Sequence, residues 1–202
     1  NVSKVEEKGR ATRVRRAFSD AELKALLKVA PDYRSIAYLT AARSGLRHGE
    51  LAKLKWADVG FDSETPHILA RAATTKNRLD SRIPMTKELE RELLKHRPEN
   101  YRPNHPVFPK GVPRARTLRL DLEKAGITYQ DEMGRYADFH SLRYTWGTYL
   151  QRNGVNSRVA MELMRHSDRK LTDKIYTDSN LLPLVEVVRN LPDEENLIKI
   201  LT

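Results

Sequence analysis

The 202-residue sequence contains no cysteine, so a disulfide framework, a thiolate metal site and a thiolate nucleophile are all excluded. That usage fits a reducing compartment, and a cytoplasmic location is expected. Long apolar runs are also missing: the stretch around Ser35 to Ala42 falls far short of the roughly 20 residues that cross a bilayer. The N-terminus is polar and has no apolar signal core, and no membrane association is expected. Internal repeats and low-complexity tracts are absent, and β-type patterning is scarce. With 39% apolar residues the chain can bury one real core, which makes a single domain the expectation. Acidic residues are outnumbered: 37 Lys and Arg against 27 Asp and Glu leave +10, which favours a polyanionic partner, either nucleic acid or an anionic membrane surface. The opening NVSKVEEKGRATRVRR has no Met, so the chain is expected to be a piece or processed form of a longer protein.

Residues 1–17 are charged and aperiodic, with Arg10, Arg13, Arg15 and Arg16 close together, and read as a basic linker or arm before a domain over 18–202. Ser19 and Glu22 spell an S-x-x-E capping box, with Phe18 and Leu23 placed as a hydrophobic staple, so a helix is predicted over 20–29. Pro31 and Asp32 open a second helix with Ile36, Leu39 and Thr40 on one face, and Gly45 stops it. A third is predicted over 48–54. HILARAAT (67–74) and LDSRIPM (79–85) read as two strands of a hairpin joined around Lys76. Helices follow over 86–96, with Leu89, Leu93 and Leu94 as the buried stripe, and over 114–124 after a Pro-rich passage. The spacing of Leu142, Trp146, Tyr149 and Leu150 predicts an amphipathic helix over 141–153, ended by Gly154. Shorter helices are expected over 157–164 and before Tyr176, and one or two amphipathic helices at the end of the chain. The fold class is mainly α (α+β), helical with a small antiparallel sheet.

Four groups of residues carry chemistry. Arg47 emerges where a helix stops at Gly45, with Glu50 three residues on to orient it, so its planar fork can meet a phosphate beside helix-terminal N–H groups. Taken alone, R-x-x-E equally describes an ordinary surface ion pair. His140 and Arg143 stand one helical turn apart, so a proton-exchanging imidazole and a permanent cation can reach the same anion; alternatively they are a capping His and a solvated Arg. His166 precedes Tyr176, whose phenol needs cationic neighbours or a base to act as a nucleophile, and which by itself is equally a packing tyrosine. Lys76 on a strand connection is either a solubilising charge or a mobile proton donor. No carboxylate cluster suggests a two-metal site.

Together, R-x-x-E, a hairpin Lys, H-x-x-R, H-S and Tyr resemble the catalytic boxes of the tyrosine recombinases, the phage integrase family. SGLRHGELAKLKWADV is similar to the first arginine box, TTKNRLDSRIPM to the β-hairpin, FHSLRYTWGTYL to the second box and LMRHSDRKLTDKIYTDS to the nucleophile box. The likeness spans Phe18 to about Ser179. It implies a site-specific recombinase working on double-stranded DNA without metal, ATP or other cofactor. Arg47 and Arg143 would hold the nonbridging oxygens, with Glu50 in support. Lys76 would protonate the leaving 5′ oxygen, His140 would move the tyrosine proton, His166 would bond the phosphate, and Tyr176 would form a 3′-phosphotyrosyl intermediate. The implied assembly is a homotetramer on DNA for the full-length protein and a monomer for this fragment.

The family usually has Gly before the second His and nine residues from there to Tyr; here Arg165 and ten stand instead, and Gly49 replaces a frequent small polar residue. The family's N-terminal helical DNA-binding domain is not represented, so weak, salt-sensitive DNA binding is expected of the chain alone. Leu181, Leu182, Val185 and Val188 form an apolar stripe that packs either on its own domain or on a neighbouring protomer. Two other readings are a type IB topoisomerase or telomere resolvase with the same chemistry, and a catalytically silent DNA-binding module. Replacing Arg143 by Ala is expected to abolish covalent adduct formation and leave the fold intact.

Overall fold

The Ser19 capping box forms as its spelling implies: Ser19 Oγ accepts the Glu22 N–H at 3.2 Å, and the Glu22 carboxylate accepts the Ser19 N–H at 2.8 Å. Phe18 and Leu23 are both buried beside it, completing the staple. The helix thus started, α1 (Asp20–Val29), is the first of seven among the residues described by the computed structural model, which are 13–61, 64–71 and 80–165. The others are α2 (Asp32–Ser44), α3 (His48–Leu51), α4 (Lys87–His96), α5 (Ala115–Lys124), α6 (Ser141–Arg152) and α7 (Ser157–Met164). Each lies where periodicity and caps place it, apart from α3, which stops early. The helices predicted after residue 165 lie outside the described residues.

α2 is the central helix. Ile36 to Ala42 and Ser44 are all buried, so the single apolar face read from its spacing understates it: α1, α4 and α6 pack around it. Such a helix must satisfy its own hydroxyls, and Thr40 and Ser44 donate back to the carbonyls of Ile36 and Thr40 at 2.7 and 2.6 Å. α6, read as amphipathic, is likewise buried from Ser141 through Thr148. It is enclosed by α2 on one side and α7 on another. On α4, Leu89 and Leu93 are fully buried but Leu94 is 39% exposed and does not belong to the stripe.

The sheet has three antiparallel strands in the order β1 (Val59–Gly60), β2 (His67–Ala70) and β3 (Ser81–Pro84). Val59 and Ile83 both pair with Ile68, and all three are buried. The hairpin of β2 and β3 matches the expectation. β1 does not figure in it, because a two-residue strand is too short to display a period of two. The last residues of the basic arm are packed rather than loose: Arg15 forms a parallel bridge with Tyr136, and Arg16 and Ala17 are buried.

One buried network ties α2 to α5. Asp121, 1% exposed, takes two hydrogen bonds from Arg34 at 2.8 Å each and one from the Tyr38 hydroxyl at 2.8 Å. Burial, reinforced by the Asp121 carboxylate, pushes the Tyr38 phenol well above its usual value. Removing the carboxylate leaves a cation and a hydroxyl without their partner. Asp121→Ala should therefore cost about 3–5 kcal/mol, read as a drop in unfolding free energy on urea denaturation.

Candidate active site

The α2–α3 corner is built on Gly45. Its φ of +64° gives α2 a left-handed stop, and a Cβ there would lie 2.7 Å from Trp146 Cδ1. Close approach of α6 and left-handed geometry both require glycine. Two residues on, Arg47 begins α3, and Glu50 turns back on it. Glu50 accepts the Arg47 backbone N–H at 2.8 Å and its guanidinium at 2.9 Å. Only 2% of the Glu50 side chain is exposed, so this is not the surface ion pair that R-x-x-E allows. Burial raises the Glu50 carboxyl, but hydrogen bonding and charge from Arg165, then the Arg47 N–H and charge, outweigh it and hold Glu50 below its ordinary value.

Arg165 enters from the end of α7. Its Nη2 donates to Glu50 Oε2 at 2.9 Å and to the Gly45 carbonyl at 3.3 Å. Sequence reasoning registers this residue only as a departure from a glycine, because a spelling does not show where a side chain folds back.

Arg143 is the other cation of the corner. It is 1% exposed, and its two Nη groups donate to the carbonyls of Gly45 and Met164. Both carbonyls stand at helix C-terminal ends, where the backbone is short of donors and carries partial negative charge. Arg143 is therefore neither solvated nor purely functional. The expectation that Arg143→Ala leaves the fold intact runs against this geometry, since the Met164 carbonyl would lose its Arg143 donor and the Gly45 carbonyl would keep only Arg165.

His140 is the N-cap of α6, and its ring meets Tyr144 edge-on at 5.9 Å. Burial first, then the charges of Arg15 and Arg143, push its pKa down to about 4, with Asp138 opposing and Arg47 adding a little. The imidazole is thus neutral at physiological pH. Asp138 accepts the Ser141 N–H at 3.2 Å and pairs with Arg15 at 2.8 Å. This pair of contacts brings the arm to the start of α6.

Arg47, Glu50, His140 and Arg143 are accordingly brought together. Lys76, His166 and Tyr176 lie outside the described residues. Just after β2, Arg71 pairs with Asp58, which is itself buried and accepts the Lys55 N–H at 3.0 Å.

Two outcomes follow from this geometry. Gly45→Ala should lose about 1–3 kcal/mol through overpacking against Trp146, in addition to left-handed strain, measured by chemical denaturation. For His140 the folded state binds its proton less tightly than the unfolded chain, so its stabilising contribution is complete above about 6.5 and is lost as pH falls through about 4. Melting temperature should fall over that window, and less steeply in His140→Gln.

The family model described as Phage integrase family matches residues 16–181. The chain is 28% identical over 196 residues to the tyrosine recombinase XerC-like protein of Caldanaerobacter subterraneus subsp. tengcongensis, covering 79% of this chain and 49% of that protein. It is 27% identical over 177 residues to tyrosine recombinase XerA of Pyrococcus horikoshii, covering 86% and 60%. The chain thus spans less than two thirds of either relative. The crystal structure of XerA recombinase superposes with a TM-score of 0.68 at 25% identity, over 89% of this chain and 67% of that one. A lambda integrase dimer bound to a COC′ core site shares the fold, with a TM-score of 0.64 at 16% identity over 88% of this chain and 51% of that one. By the extent of the family match and the architecture it shares with these proteins, the chain belongs to the phage integrase family.

Proposed function

We propose that this chain is the catalytic domain of a site-specific recombinase that cuts and rejoins double-stranded DNA through Tyr176. One observation carries the reading: Arg47 and Arg143, far apart in sequence, converge on one corner, where Arg143 holds the Gly45 carbonyl and Arg47 follows two residues later. A phosphate under attack gains negative charge, and a site of fixed cations stabilises it without reorganising. The Arg47 side chain, 31% exposed, presents the accessible guanidinium. Arg143 must exchange at least one carbonyl for a phosphate oxygen, or act as a buried charge behind it.

In this mechanism the Tyr176 oxygen attacks phosphorus, a bond to the 3′-phosphate forms, and the 5′ oxygen leaves as a hydroxyl. Neutral His140 takes the phenol proton, a role that its low pKa permits at physiological pH. Lys76 gives a proton to the departing oxygen, and His166 bonds the phosphate. Attack by the 5′ hydroxyl of a partner strand reverses the step, and bond energy is conserved in the phosphotyrosyl link. Glu50 holds Arg47 throughout.

The net charge of +10 suits a duplex partner. The relatives named recombinases and the integrase solved on its core site support that partner. Assembly as a homotetramer on DNA and a cytoplasmic location belong to the same proposal. Among the described residues no helix is long and apolar enough to cross a membrane.

A nicked suicide substrate tests the reading in the natural full-length protein. A covalent protein–DNA adduct should form at a defined site and vanish in Tyr176→Phe. In Arg47→Ala it should form about a hundredfold more slowly or less. Binding without any adduct would reduce the protein to a DNA-binding module, and adducts at no fixed sequence, with plasmid relaxation, would make it a nicking-closing enzyme.

A further inference from the structure

Arg165 combines three costs. Its φ is +54°, and among the described residues it is the sole non-glycine in the left-handed region. Its side chain is only 5% exposed. Two of its nitrogens, Nε and Nη1, are buried with no hydrogen-bond partner among the described residues. As a stop for α7, a glycine or asparagine would supply the same backbone at lower cost. What the arginine adds is confined to Nη2, which bonds Glu50 and the Gly45 carbonyl.

Those two acceptors are the ones that the other arginines use. The Gly45 carbonyl takes Arg143 as well as Arg165, and Glu50 takes Arg47 as well as Arg165. Three guanidinium groups are thus linked through one carbonyl and one carboxylate, and Arg165 is the member common to both. A carboxylate shared in this way cannot rotate to follow Arg47 alone, so the direction of the Arg47 fork is set from α7.

We propose that Arg165 is a positioning residue for DNA cleavage: by fixing Glu50 against the Gly45 carbonyl it sets the Arg47 guanidinium for the scissile phosphate. The inference rests on the recombinase reading above. Arg165 is too deeply buried to touch DNA itself, and acts through Glu50.

The glycine variant separates this role from a backbone one, because Arg165→Gly relieves the left-handed backbone while removing the side chain with its guanidinium. Single-turnover adduct formation on saturating suicide substrate, DNA affinity and melting temperature are measured for wild type, Arg165→Gly, Glu50→Gln and the double variant. Melting temperature is expected to stay well above the assay temperature, since relief of the backbone offsets part of the loss of a buried ion-pair partner, and DNA affinity is expected to change little. Adduct formation should slow at least about tenfold, the factor that accompanies loss of one charge-assisted hydrogen bond. In the double variant the losses should not multiply, since both changes remove the same contact. Arg165→Asn, which also tolerates the left-handed backbone, runs in parallel so that misfolding of one variant does not decide the result. Equal rates in wild type and Arg165→Gly, or fully multiplicative losses with Glu50→Gln, overturn the inference alone. No adduct from wild type overturns the recombinase reading and this inference with it.

Discussion

A guanidinium sealed between two helix ends is the constraint on which the rest of this structure hangs. Arg143, 1% exposed, bonds the carbonyls of Gly45 and Met164. An isolated buried charge is prohibitively expensive, and here it is met by backbone dipoles at the ends of α2 and α7. Because α6 supplies the arginine, three helices are fixed to one another at the point where the chain turns towards Arg47. Site and core are therefore the same construction, and a change to one is felt in the other.

Two titratable groups at this corner are displaced in the direction that burial and neighbouring guanidinium groups dictate. Burial, then Arg15 and Arg143, bring His140 down to about 4, while Arg165 and Arg47 outweigh burial at Glu50 and hold it below its ordinary value. Burial thus opposes the cations at Glu50 and acts with them at His140.

Much of the scaffold was legible because local rules and global packing agree in it. The Ser19 box and the Gly45 stop each place a helix terminus within a residue. The reading failed where context overrides pattern. α2 and α6 are enclosed on nearly all sides, and small and hydroxyl residues such as Ala37, Thr40, Thr145 and Thr148 hide that enclosure from a hydrophobicity pattern. Of the candidate site, Arg47, Glu50, His140 and Arg143 were recognisable by type and spacing, but the burial of Glu50 and Arg143 was not, since both look like surface residues in a sequence. Arg165 was least legible: a positive φ at an arginine contradicts the propensity by which such positions are found.

The docking of the arm has a mechanical corollary. Between Val14 and Arg16 the backbone exchanges hydrogen bonds with Tyr136 at 2.9 and 3.1 Å, and Arg15 clasps Asp138, which accepts the Ser141 N–H beside His140. Whatever precedes Arg13 sets out from the doorstep of the candidate site. Tension on that leash would be delivered first to Asp138 and the neighbouring imidazole, before any of the deep core could absorb it.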